Sequence, residues 1–250
     1  MQDRPQLAIS RAVARPQALQ RERLSDQLVT GLLSDIVAGR YPPGAAFASE
    51  GELVERFSIS RVVAREALRM LGSIHVVNAQ QGRRASVLPV SDWDLFSPHV
   101  ARAFLEVEPP RDLKVQLYDT RSVVEGGAAA LCARACAADQ LADIQEQARR
   151  LTEVAAARPN LRRFLECDRA FHEAVARGSG NAPLRALLRS LGTLTAAQWN
   201  PGGVRLQRQA LPIAAAQHQQ VAEAIARRDP QAARRAMEEH IAWAKDNDTK

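Results

Sequence analysis

The chain has 250 residues, 46% apolar, 25% charged and 4% aromatic, with a formal net charge of +6. This is enough apolar material for a core in one large domain or two modest ones, so wholesale disorder is excluded, and few aromatics among many Ala, Leu, Arg and Glu favour helix over sheet. No apolar run approaches the ~18 residues of a bilayer span, and the first twenty residues carry Arg4, Arg11 and Arg15 and no hydrophobic block, so a secretory signal is excluded. Cys132, Cys136 and Cys167 form no disulfide or CxxC pattern, which suits a reducing cytoplasm.

Residues 1–16 are polar and irregular and read as a mobile arm. A first helix spans about 17–38, with Leu24, Leu28, Leu32 and Ile36 at helical spacing, Gly39 as a left-handed cap and Pro42-Pro43-Gly44 preventing continuation. Ser49-Glu50-Gly51-Glu52 is a capping box that opens a second helix running to about Phe57. Ser58-Ile59-Ser60 makes a tight turn, and Ser60 caps a third helix, Arg61 to Leu71, whose inner face carries Val63, Ala67 and Leu71. Two short strands follow, Val76–Ala79 and Ala85–Leu88, around the basic turn at 80–84. Three helices and a basic hairpin make a winged helix-turn-helix domain over 17–88.

Residues 89–111 hold four prolines and read as a linker with one short helix near Trp93–Leu105. From Asp112 only helical patterns occur, at about 112–137, 139–157, 161–177, 182–198, 205–227 and 230–246. The first carries a stripe of Leu113, Leu117, Thr120, Val124, Ala128 and Leu131, and the last starts with Asp229 as cap and Pro230 at the first helical position. The fold class is therefore mainly α: a winged helix-turn-helix domain and, over 112–246, an antiparallel all-helical bundle.

Charge follows the same division. Residues 1–88 hold 12 arginines and 8 acidic residues, the other 162 hold 22 basic and 20 acidic, so positive charge is denser where phosphates would be met. On the third helix Arg61, Arg65 and Arg69 recur every four residues along one flank, where guanidinium groups can reach guanine edges or phosphates in a major groove. Arg83 and Arg84, at the hairpin tip, fit a minor groove or the DNA backbone. A solvated arginine stripe paired with Glu66 or Glu55 is the competing reading.

Asp168 and His172, four apart on one helix, can point at a common ion, and His218 and His240 lie near the inner faces of the last two helices. One carboxylate and three imidazoles suit Zn²⁺, or Ni²⁺ or Mn²⁺, and leave positions open for water or a ligand. Ordinary, partly buried histidines would give the same pattern. His75 and His99 read as structural or solvated, Cys132 and Cys136 as core fillers, and Trp199 and Trp243 as cavity or core.

Gly39-Arg-Tyr-Pro-Pro-Gly44, Ser49-Glu50 and Ser60-Arg61-Val-Val-Ala-Arg65-Glu66-Ala67-Leu68 resemble the GntR family of bacterial regulators. His75, where the family commonly has Gly, and Arg84, at the second Gly of the usual wing tip, depart from it. Residues 113–241, with Arg121-x-x-x-Glu125, Asp168-x-x-x-His172, Ser179-Gly180-Asn181, His218, Asp229 and His240, resemble the helical FCD domain of FadR-type members. The resemblance implies a homodimer on a palindromic operator, contacts from Arg61 and Arg65 with Arg69 in support, and a divalent metal on Asp168, His172, His218 and His240. It also implies a carboxylate effector that completes the coordination and pairs with Arg121, releasing a repressor from DNA. The run Trp93–Pro98 resembles a linker in regulators of sugar-acid catabolism, which points to an aldonate-like ligand. Two competing functions are a metal-dependent hydrolytic enzyme with an accessory nucleic-acid-binding domain, which nothing near the Asp/His set supplies with a general base, and a helical scaffold with an incidental basic arm.

Overall fold

The computed structural model describes residues 16–78, 84–156, 160–196 and 210–248. The expected arm, the hairpin tip with Arg83, and Trp199 lie outside them. The chain divides into two compact units between Asp94 and Leu95.

The first unit contains α1 (Pro16–Val37), α2 (Glu50–Phe57), α3 (Arg61–Ser73), β1 (Val77–Asn78) and β2 (Ser86–Val87). The capping box at Ser49 forms as the sequence requires. The Ser49 hydroxyl accepts from the Glu52 N–H, and a Glu52 carboxylate oxygen accepts from the Ser49 N–H at 2.7 Å. Ser58 then turns the chain with a left-handed φ of 51°, and the Ser60 hydroxyl accepts from the Val63 N–H to start α3. Val63, Ala64, Ala67 and Leu71 face inward, with α1 packed across them through Val29, Leu32 and Leu33. Leu24, which the periodicity assigned to the same stripe, is 49% exposed; one turn before Leu28 it is Ser25 that is buried. The strands pair antiparallel with Val77 opposite Val87, and Ala46 adds a bridge to Ser86. They are two residues each, not the four that the pattern suggested.

Segment 89–111 is shared between the units. Trp93 donates from Nε1 to the Leu88 carbonyl and the Asp94 N–H bonds Ile74, both inside the first unit. The helix expected from Trp93 is instead a 3₁₀ turn at Val90–Asp92 followed by α4 (Pro98–Glu106). Proline disfavours helix in the residue before it and is well placed at a first helical position, so Pro98 sets the start while Ser97 caps the His99 N–H.

The second unit continues with α5 (Arg111–Ala135), α6 (Ala138–Ala156), α7 (Leu161–Gly178), α8 (Ala182–Ala196), α9 (Leu211–Ala226) and α10 (Pro230–Asp248), the six expected helices. The first five residues of the expected 205–227 helix lie outside the described ones. Short junctions aim the site-bearing helices. Gly180, at φ 66°, ends α7, and Asn181 accepts from the Leu184 N–H to start α8. Asp229 accepts from Gln231 and Ala232 N–H groups at the head of α10, with Pro230 next to it. Phe164, Phe171, Ile144, Leu151, Val221, Met237 and Ile241 fill the core. The inner face of α5 differs from the expected stripe: Thr120 is exposed and Val124 and Leu131 are half-buried. Leu113, Leu117 and Ala128 are buried as expected, and Tyr118, Arg121, Glu125, Ala129 and Cys132 join them. Three charged residues, Lys114, Arg121 and Glu125, belong to the inward face, and their polarity hid its full extent. Among the described residues no helix is long and apolar enough to cross a membrane.

Candidate functional site

Two clusters carry chemistry, one in each unit. In the first, Arg61, Arg65 and Arg69 stand exposed on α3, opposite its buried face. Arg65 forms a two-pronged pair with Glu50, at 3.0 and 3.3 Å, and not with Glu66 or Glu55. Its hydrogen bond holds the Glu50 carboxyl below its ordinary value. Arg84 folds back from β2, donating to the Phe47 carbonyl at 3.1 Å and pairing with Glu52. Both acids lie in the first turn of α2, where negative charge complements the helix dipole. Arg65 of α3 and Arg84 beside β2 thus rest on carboxylates that a phosphate or a guanine edge would have to displace.

In the second unit, α7 supplies Asp168 and His172, α9 supplies His218 and α10 supplies His240. One ligand atom from each lies within 4.8 Å of the others. His218 Nε2 is 3.0 Å and His172 Nε2 3.8 Å from the same Asp168 oxygen. Each imidazole is turned from behind by a partner at Nδ1: the Ala214 carbonyl at 2.7 Å for His218, the Gln217 side chain at 3.3 Å for His240, and Glu125 for His172. A carbonyl or carboxylate at Nδ1 selects the tautomer with hydrogen there, which leaves Nε2 as the lone pair facing the cluster. The Nε2 atoms of His172 and His218 are buried with no hydrogen-bond partner. An orphaned buried polar atom is costly unless a ligand engages it.

Electrostatics sort the four groups. Burial alone would raise the Asp168 carboxyl, but the adjacent His172 and His218 bring it down to about 2, so it stays ionised. Burial, reinforced by the neighbouring His218 and His172, pushes His240 well below the usual imidazole range and keeps it neutral. Burial also works against a charged His172, yet Glu125 and Asp168 raise it. One carboxylate and three imidazoles with convergent lone pairs fit a divalent N/O-binding ion.

Arg121 donates from Nε to Glu125 at 2.6 Å, with its guanidinium 5.7 Å from the Tyr118 ring. Both residues are buried, at 5% and 6% exposure. Glu125 was legible only as the i+4 partner of Arg121, and its grip on His172 had no sequence signal. Gln217 was missed altogether. A cavity of about 1000 Å³ opens on Arg121, Glu125, Asp168 and His172. Trp243 packs against the helical core, Cys132 and Cys136 are buried in it, and His75 is exposed.

The family model for bacterial regulatory proteins of the gntR family matches residues 24–87, and that for the FCD domain matches residues 116–242. The galactonate operon transcriptional repressor of Escherichia coli K12 is 30% identical over 170 residues, covering 68% of this chain and 73% of that protein. This chain belongs to the GntR family. Its C-terminal unit is an FCD domain. Other GntR-family relatives are the Glc operon transcriptional activator of E. coli K12, 28% identical with 85% of this chain and 84% of that protein covered, and LutR of Bacillus subtilis, 30% identical with 62% and 68% covered. The solved structure of Lar from Listeria monocytogenes shares the fold at a TM-score of 0.63 and 16% identity, over 89% of this chain and 95% of that one. The relatives are transcription regulators and not enzymes, and this GntR-family chain is a DNA-binding transcription regulator.

Proposed function

We propose that this GntR-family regulator is a repressor whose FCD domain holds a divalent metal ion, zinc first and nickel or manganese next, on Asp168, His172, His218 and His240. A small carboxylate effector completes the site and releases a homodimer from a palindromic operator. The supporting observation is the set of four convergent donors, two of them orphaned at Nε2, of which Asp168 and His172 line a large cavity. When bound, the ion supplies a Lewis-acidic anchor for a carboxylate. The chain does the rest. Glu125, Gln217 and the Ala214 carbonyl orient the imidazoles, and Glu125 also aims Arg121, whose Nη groups can pair with the acid. The chemistry of the acid is suggested by the relative named for the galactonate operon, which points to a sugar acid. On DNA, Arg61, Arg65 and Arg69 enter the major groove, with Arg83 and Arg84 on the flanking backbone or minor groove.

Elemental analysis of purified protein tests the metal. About one divalent ion per chain is expected in the wild type and almost none in the His172→Ala/His218→Ala variant. Equal metal in both would rule the site out.

A further inference from the structure

The cavity that reaches Arg121 and His172 extends between α7 and α8, and its outer wall has an uneven charge balance. Every carboxylate lining it has a cationic or imidazole partner: Glu125 has Arg121 and His172, Glu166 has Arg162, Glu173 has Arg185, and Asp168 has His218. Two lining cations do not have such partners. Arg169 on α7 and Arg189 on α8 both face this cavity, and among the described residues neither guanidinium makes an ion pair or hydrogen bond. Two unpaired guanidinium groups lining one cavity are best used by an anion placed between them.

We infer that Arg169 and Arg189 form a second anion subsite, so the effector is a small acid with an anionic group at each end, an aldarate or a phosphorylated aldonate, and not a simple monoacid. The inference rests on the carboxylate-effector reading above, which accounts for the inner end at Arg121. The inner end is buried and built from Arg121 and orphaned imidazole nitrogen; the outer wall offers cations where a polyol terminus would need neutral hydrogen-bond partners. The cavity, of about 1000 Å³, is lined by Arg121, Arg169 and Arg189 together, and its volume is ample for a six-carbon acid. Both arginines are exposed, so replacing them leaves the core intact.

The test is titration calorimetry of the full-length, metal-loaded protein with D-gluconate, D-glucarate and 6-phospho-D-gluconate, and with the pair D-galactonate and galactarate. At least one doubly anionic member should bind about tenfold or more tighter than its monoacid, and the glucarate and phosphogluconate arms show whether the outer group is carboxylate or phosphate. In the Arg169→Gln/Arg189→Gln variant that preference should fall to within about twofold. Monoacids binding as well as their doubly anionic partners, or a preference that survives in the variant, would overturn the second subsite and leave the carboxylate reading intact. Failure of every acid to bind the wild type would overturn both.

Discussion

Glu125 accepts from Arg121 Nε through one oxygen and meets His172 Nδ1 with the other, in a position almost closed to solvent. Removing one member of a buried pair strands the other, at a cost of about 3–5 kcal/mol, whereas replacing both with apolar groups of similar size is often close to neutral. Denaturant melts should therefore show Glu125→Leu strongly destabilised and Arg121→Met/Glu125→Leu much less so. A double variant as unstable as the single one would show that the pair is not what Glu125 satisfies. His75 offers a second test. It holds a left-handed φ of 57° without being glycine, which explains physically why glycine is common there in the family, and such a residue costs roughly 1 kcal/mol. His75→Gly should leave thermal stability unchanged or slightly raised; a clear loss would show that the ring makes a needed contact. Gly178 is the opposite case. A Cβ there would stand 2.6 Å from Cys132 Sγ and 3.3 Å from Ile144 Cδ1, so Gly178→Ala should lower stability by roughly 1–3 kcal/mol.

At the scale of elements, α2 links stability to pH through its cap. The Ser49 N–H and hydroxyl hydrogen-bond to Glu52 and hold its carboxyl below the ordinary 4.5. A depressed carboxyl stabilises the folded state above its unfolded value and loses that contribution as pH falls through the folded one. Amide-exchange protection of α2 should thus decline below about pH 4.5 in the wild type, and Glu52→Gln should remove that pH dependence. Equal pH profiles would contradict the cap's role. These same elements show what was legible. The caps at Ser49, Ser60 and Asp229 place helix starts to within a residue, because capping is local chemistry written in adjacent side chains. The inner face of α5 was legible only in part, at Leu113, Leu117 and Ala128, because it also includes Lys114, Arg121 and Glu125, which an apolar-periodicity reading excludes. The start of α4 was missed for a local reason, the proline at 98. The four convergent donors were legible as residue types at helical spacing, but their closure to within 4.8 Å depends on how α7, α9 and α10 pack, which no spacing encodes.

For the molecule as a whole, the proposed function makes DNA binding and effector binding two equilibria of one chain. If Arg65 exchanges Glu50 for DNA, as proposed, Arg65→Ala should weaken operator binding by roughly 1–3 kcal/mol where it reads a base, whereas an arginine confined to phosphate should weaken all sequences alike and flatten the salt dependence. An effector shifts that equilibrium only through a difference in its affinity for the two states, and operator DNA must weaken effector binding by the same factor. The most direct test is operator affinity of the full-length protein, measured with and without the tightest-binding acid, in the wild type and in Arg121→Ala. The account predicts that the acid weakens operator binding by about tenfold or more in the wild type and leaves Arg121→Ala unaffected. An acid that binds both proteins equally and changes operator affinity in neither would contradict it.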